Sequence, residues 1–139
     1  MNEQYIQNPY SRYAYCVFEN YWGEALHSVE ITHYVKGFID KTKRLQTYKL
    51  LEDVPDKTVA EQHFQIVYEQ RIIDSYDYWN VVIKTESGKI YRTKDNFYCS
   101  IAYYDDNQII LGVNGDAKSL YVVFTHSSGY NTELIEVSS

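Results

Sequence analysis

Chemistry in this chain could come from four histidines, three close pairs of aspartates, a histidine–serine turn and a stretch of cations. His27 and His33 fall on odd positions of one extended run, sharing a face with Val29 and Ile31. Six residues of strand separate them by about 20 Å, too far to ligate one ion. His63 and His126 lie far off in sequence, and no cysteine or histidine spacing matches a zinc site. Hydrogen-bonded histidines at a core margin are the expectation. His126-Ser127-Ser128-Gly129 sets a base beside hydroxyls, but neighbours in a turn rarely face each other. No Gly-x-Ser-x-Gly elbow or phosphate-cradling glycine loop accompanies them.

The aspartate pairs are Asp53/Asp56, Asp74/Asp77 and Asp105/Asp106. Clustered carboxylates can hold calcium, and Asp105, Asp106 and Asp116 would do so if their two loops shared one end of the fold. None shows the Asp-x-Asp-x-Asp-Gly pattern. Aspartate is also a favoured turn residue, because its side chain bonds the backbone just ahead. No enzyme activity, metal or cofactor is expected.

Recognition is better represented. Lys36, Lys41, Lys43, Arg44 and Lys49 put five of the thirteen cationic side chains into one short stretch, interrupted by the single acid Asp40. In an acidic protein this asymmetry suits an anionic headgroup or an acidic partner. Tyr21 and Trp22 follow Asn20 in an expected turn, and Tyr76, Tyr78 and Trp79 cluster before a strand. Aromatic side chains at loop tips often meet a membrane interface, a sugar ring or a protein. Trp79 alternates with Val81 and Ile83 and reads as core, which leaves Trp22 as the exposed candidate.

The elements that must position these residues read as β. Tyrosine occurs sixteen times in 139 residues, often on alternate positions, as in Tyr13-Ala14-Tyr15-Cys16-Val17-Phe18. That period belongs to a half-buried extended chain. Strands are expected near Tyr13–Asn20, Ala25–Val35, Arg44–Leu51, Gln62–Tyr68, Tyr78–Thr85, Lys89–Thr93, Tyr98–Tyr104, Gln108–Val113, Leu120–Thr125 and Thr132–Val137. Ser87-Gly88 and Asn114-Gly115-Asp116 carry hairpin-turn chemistry. Thr58-Val59-Ala60-Glu61 also matches a helix capping box, so 59–71 admits a helix, although alternation of Phe64, Ile66 and Tyr68 favours a strand. The pattern is an all-β, single-domain antiparallel sandwich of about ten short strands over 13–139, with 1–12 as an irregular arm.

Composition narrows the partners. The chain has 45% hydrophobic residues and a formal charge of −6, enough for one packed core but unsuited to general nucleic-acid binding. No apolar run is long enough to span a membrane, and the start lacks the features of a secretory signal. A cytoplasmic product, or one exported by a leaderless route, is expected. Cys16 and Cys99 sit in apolar runs, where buried free thiols are common, with a bridge between them as the less favoured alternative.

A family pattern runs through residues 17–101. Val17-Phe18-Glu19-Asn20-x-x-Gly23 resembles a first strand ending in an asparagine–glycine turn, and Leu26-x-x-Val29-x-Ile31-x-His33 a strand ending in histidine. Phe64-x-Ile66-x-Tyr68 then precedes Asp77-Tyr78-Trp79-x-Val81-x-Ile83. The latter resembles the Asp-Trp-Trp-Val-Val-type strand of the "up-regulated in Daf-2" family. Ser87-Gly88-Lys89-Ile90-Tyr91 and Cys99-Ser100-Ile101 follow in similar order. Such proteins are similar in size and build to the aegerolysins, small acidic β-sandwiches that bind membrane lipids and can join pore-forming pairs. The resemblance implies an aegerolysin-like sandwich with a non-enzymatic role and supplies no catalytic residues. Two features depart from it: the basic stretch, and Glu69-Gln70-Arg71 where the family carries a glycine-bearing turn.

The expectation is a binding module for a membrane lipid or glycan surface, with Tyr21, Trp22, Lys36, Lys41, Lys43, Arg44, Tyr76 and Tyr78 as contact residues. The alternative is an acidic, tyrosine-rich inhibitor or immunity-type protein that blocks a partner protein. Self-association is compatible with the sequence but not specified by it.

Overall fold

The computed structural model describes residues 10–69, 74–102, 105, 107–127 and 129–137. Among these residues the chain is all β, with eleven strands in two sheets. One sheet runs β10 (Tyr130–Glu133), β9 (Ser119–Phe124), β8 (Gln108–Asn114) and β1 (Ser11–Tyr21). The far edge of β1 carries β4 (Thr58–Val59) and β5 (Phe64–Glu69), laid end to end. The other sheet runs β11 (Ile135–Val137), β7 (Ile90–Arg92), β6 (Tyr76–Thr85), β2 (Leu26–Lys36) and β3 (Arg44–Val54). Pairing is antiparallel except between β1 and β8, which run parallel.

Alternation places Ala14, Cys16 and Phe18 of β1 inward while Tyr13 and Tyr15 stay outside. They pack with Ile66, Ile109, Leu111, Leu120 and Val122 against Val29, Ile31, Trp79, Val81 and Ile83 from the facing sheet. This apolar layer is the main source of stability. Trp79, 1% exposed, is core as its alternation implies. Cys16 and Cys99 are buried free thiols. Burial pushes both thiols up, Cys99 to about 12 with the Asp77 and Asp105 charges adding to the effect, so neither is a ready nucleophile.

Several element boundaries depart from the sequence reading. β1 begins at Ser11, so the expected arm loses its last two residues to the sheet, and residues 1–9 lie outside the described residues. The region 59–71 is strand where it is described, and Gln70 and Arg71 lie outside the described residues. A bulge between Leu26 and Ser28 turns Leu26 inward and His27 out, so His27 does not share the face of His33. The expected strand Tyr98–Tyr104 is irregular over Tyr98–Ala102, and Tyr103 and Tyr104 lie outside the described residues. From Thr93 the chain still follows β6, through Thr93 N–H to Val81 O, Trp79 N–H to Phe97 O and Cys99 N–H to Asp77 O. Asn96, at φ 60°, breaks the ladder. The last expected strand splits at buried Leu134, so that β10 and β11 belong to different sheets.

One polar side chain ties the lower turns together. Asn20 is fully buried; its Oδ1 accepts the Trp22 N–H at 2.9 Å, and its Nδ2 faces the carbonyls of Glu24, Val54 and Pro55 at 3.0–3.1 Å. Asn20→Ala strands these groups without water, and we expect a loss of about 3 kcal/mol, read as a lower urea midpoint at unchanged m.

Candidate binding surface

The outward positions at the end of β2 and the start of β6 are aromatic or cationic. Antiparallel register sets Tyr34 opposite Tyr78 and Lys36 opposite Tyr76. The Tyr34 and Tyr78 rings stack in parallel with centroids 5.3 Å apart. A lone bridge brings Tyr98 to Tyr78, where its ring meets those of Tyr76 and Tyr78 at 5.6 Å. Lys36 Nζ lies 4.7 Å from the Tyr78 ring and Lys43 Nζ 4.6 Å from that of Tyr34. These cation–π contacts hold two ammonium groups on an aromatic floor while leaving their charge toward solvent. Burial raises the Tyr34 and Tyr78 hydroxyls above their ordinary range, so both stay neutral donors.

Above this floor stands the tip between β2 and β3. Phe38 is 53% exposed and Ile39 87%, and Phe38 stacks on Tyr76 at 4.4 Å. Two exposed apolar side chains at a tip are costly unless something covers them. Asp74 holds the tip in place: its carboxylate accepts the N–H groups of Phe38 (2.7 Å), Ile39 (3.0 Å) and Asp40 (3.0 Å). Gly37 is needed here, because a Cβ would run into the Asp74 carboxylate. Asp40 turns in to accept the Thr42 N–H. Both acids beneath the tip are thus turned onto backbone amides, while Lys36, Lys41 and Lys43 surround it.

The amide of Asp40, then that of Ile39, holds the Asp74 carboxyl below its usual range, against an opposing effect of burial. A depressed folded pKa gives a contribution that is present above the ordinary carboxylate pKa and lost as pH falls through the folded value. The tip should therefore keep its shape throughout pH 5–8 and loosen as pH falls below the ordinary carboxylate range. The amide NMR signals of Phe38, Ile39 and Asp40 should titrate together with Asp74. Asp74→Asn should shift all three at neutral pH.

Beneath the floor, a buried network fixes the segment that carries Tyr98. His33 Nε2 lies 2.8 Å from Asp77 Oδ1, and the His33 ring packs on Trp79 with centroids 4.6 Å apart. Asp77 Oδ2 accepts the Ile101 N–H, and Trp79 Nε1–H donates to Cys99 O, both at 2.9 Å. Among the described residues, His33 Nδ1 is buried without a partner. A bare lone pair is cheaper to bury there than an N–H, which favours the tautomer that donates from Nε2 to Asp77. Of the four histidines expected at a core margin, His33 is buried and hydrogen-bonded and acts as a strut, whereas His27, His63 and His126 are exposed.

The expected contact residues divide. Lys36 and Lys43 lie on the Tyr78 and Tyr34 rings and Tyr76 stacks on Phe38, while Lys41 is exposed in the same loop, next in sequence to Asp40. Tyr78 belongs to the same cluster but is 3% exposed, so it supports the surface rather than meeting a ligand. Arg44 is not a free docking cation, because it is bound to the buried carboxylate of Glu69, Nη2 to Oε1 at 2.9 Å. Trp22 is the clear correction: it is 8% exposed, packed on Tyr91 at 4.7 Å with Lys118 Nζ over its ring. Tyr21 is exposed but lies beside Trp22 at the opposite end of β2. Lys49 pairs across from core Ile31 on edge strand β3, an inward charge that discourages another strand from pairing there. Sequence reasoning missed Phe38, Ile39, Tyr34 and Tyr98. The run Lys36-Gly37-Phe38-Ile39-Asp40-Lys41, an apolar pair between lysines in a loop, was the available signal.

The calcium and nucleophile candidates dissolve into local structure. Asp105 accepts the N–H groups of Ala102, His126 and Ser127 and the Ser127 hydroxyl, which makes Ser127 part of a clamp. Asp105 and Asp116 lie at opposite ends of β8, while Asp106 and Ser128 lie outside the described residues. Among the described residues, no group of three or more histidine, cysteine or acidic side chains is placed to hold a metal, and no helix is long and apolar enough to cross a membrane. No protein-family model matches the chain, and no curated protein matches it.

Proposed function

We propose that the chain is a non-enzymatic, aegerolysin-like binding module that docks on an anionic membrane surface through the tip at Phe38 and Ile39. The observation that carries this reading is the pairing of an exposed apolar tip with Lys36, Lys41 and Lys43 around it. Apolar side chains entering the headgroup region gain burial, each nearby lysine adds roughly 1 kcal/mol at an anionic surface, and tyrosines such as Tyr76 and Tyr98 suit the interface itself. A role as a toxin or pore-forming component would use the same face.

Sedimentation with vesicles tests it. Binding to phosphatidylserine-containing vesicles, weakened by salt and absent with phosphatidylcholine alone, is the expected result; no binding to either would refute the proposal. A second reading, that the module blocks a protein partner, is favoured by the exposed Tyr13, Tyr15 and Val123 on the outer face of the six-stranded sheet. A stoichiometric complex lost on Tyr15→Asp, with Phe38→Asp harmless, would select that reading.

A further inference from the structure

We propose that the polar groove beside the tip is a binding site for a phosphorylated polyol, which the protein meets as a lipid headgroup; this rests on the membrane reading and sharpens it. The groove, of about 480 Å³, is lined by Thr32, Tyr34, Lys43, Gln46, Asn80 and the segment Lys94–Asn96. Its floor is the cross-strand pair Thr32 and Asn80. Lys43 and Lys94 bring two cations to one opening, the pairing a phosphate needs. Asp95 and the amides of Gln46, Asn80 and Asn96 bring acceptors and donors, which a bare phosphate would not use but adjacent hydroxyls would.

The floor is built to point donors outward. Buried Thr93 accepts the Val81 N–H at its hydroxyl oxygen (3.1 Å), so its own proton goes to Asn80 Oδ1 (3.1 Å). That fixes the Asn80 amide with Nδ2 left to donate into the groove. Asn96 Oδ1 accepts from Lys36 Nζ at 3.1 Å in an exposed contact. Orientation of the Asn80 amide by buried Thr93 is what a recognition site requires. The groove between Leu51 and Gln62, near the other end of the molecule, carries Glu52, Asp53 and Glu61 and no cation, and would repel the same ligand.

Vesicles containing phosphatidylinositol or phosphatidylserine at equal charge separate headgroup chemistry from charge alone. We expect a preference for phosphatidylinositol of roughly tenfold, the worth of one or two added hydrogen bonds. The preference should vanish in Lys94→Ala and in Asn80→Ala variants that melt like the wild type. In solution, myo-inositol 1-phosphate should shift the amide signals of Thr32, Asn80 and Asn96 more than inorganic phosphate does. Equal binding to both vesicles overturns the groove assignment and leaves membrane docking standing. Inositol phosphate shifts without vesicle binding keep the groove, assign it to the free compound and overturn the lipid source. Equal response to inorganic phosphate overturns the polyol component.

Discussion

Arg44→Ala should cost about 3–5 kcal/mol, a large part of the roughly 5–15 kcal/mol available to a domain of this size. The Glu69 side chain is 1% exposed, and Arg44 reaches its Oε1 through Nε at 3.1 Å and Nη2 at 2.9 Å, with the Ser75 hydroxyl at 2.9 Å. Around this pair, edge strands β3 and β5 close one corner of the sandwich over Val35, Leu45 and Val67. Deleting the guanidinium leaves a carboxylate in a dry corner, whereas the double change Arg44→Met with Glu69→Leu removes both charges and should recover most of the loss. Urea titrations of the wild type and the two variants at neutral pH measure this. A single-variant loss under 1 kcal/mol would show that the pair is a surface contact.

Phe38→Asp combined with Ile39→Asp should abolish vesicle binding while leaving the melting temperature nearly unchanged. Neither side chain belongs to the core, and Asp74 holds the tip through backbone amides that the substitutions keep. Burying the exposed parts of Phe38 and Ile39 in an interface is worth about 3 kcal/mol together. Reversing their character adds two charges that an anionic surface repels, so affinity should fall by more than about a hundredfold. Trp22→Ala should do the reverse: it removes a ring packed on Tyr91, costing stability, and leaves docking of the remaining folded protein intact. Measuring melting and sedimentation on the same samples separates the two effects.

The contrast between these residues shows what sequence can carry. Period-two alternation in 13–18 and 76–83 was enough to place β1 and β6, because side-chain direction in a strand follows from position alone. Bulges defeat that rule: one extra residue at Leu26–Ser28 turned His27 outward without any change in composition. Long-range partners defeat it too. Arg44 reads as a solvated cation until Glu69, twenty-five residues on, is seen beneath it, and Trp22 reads as a turn-tip aromatic until the turn folds onto Tyr91. The cations Lys36, Lys41 and Lys43 and the aromatics Tyr76 and Tyr78 were each visible as separate clusters. Their union depends on β2 and β6 pairing with Lys36 opposite Tyr76, a register that neither segment states by itself.

Contact with the bilayer can be mapped directly by recording amide signals on phosphatidylserine nanodiscs that contain a nitroxide-labelled lipid. Paramagnetic broadening should be strongest at Phe38 and Ile39, weaker at Lys43 and Tyr98, and absent at Trp22 and Gly115 at the far end. Broadening centred on Tyr13 and Tyr15, or spread evenly over the molecule, would contradict docking through the tip.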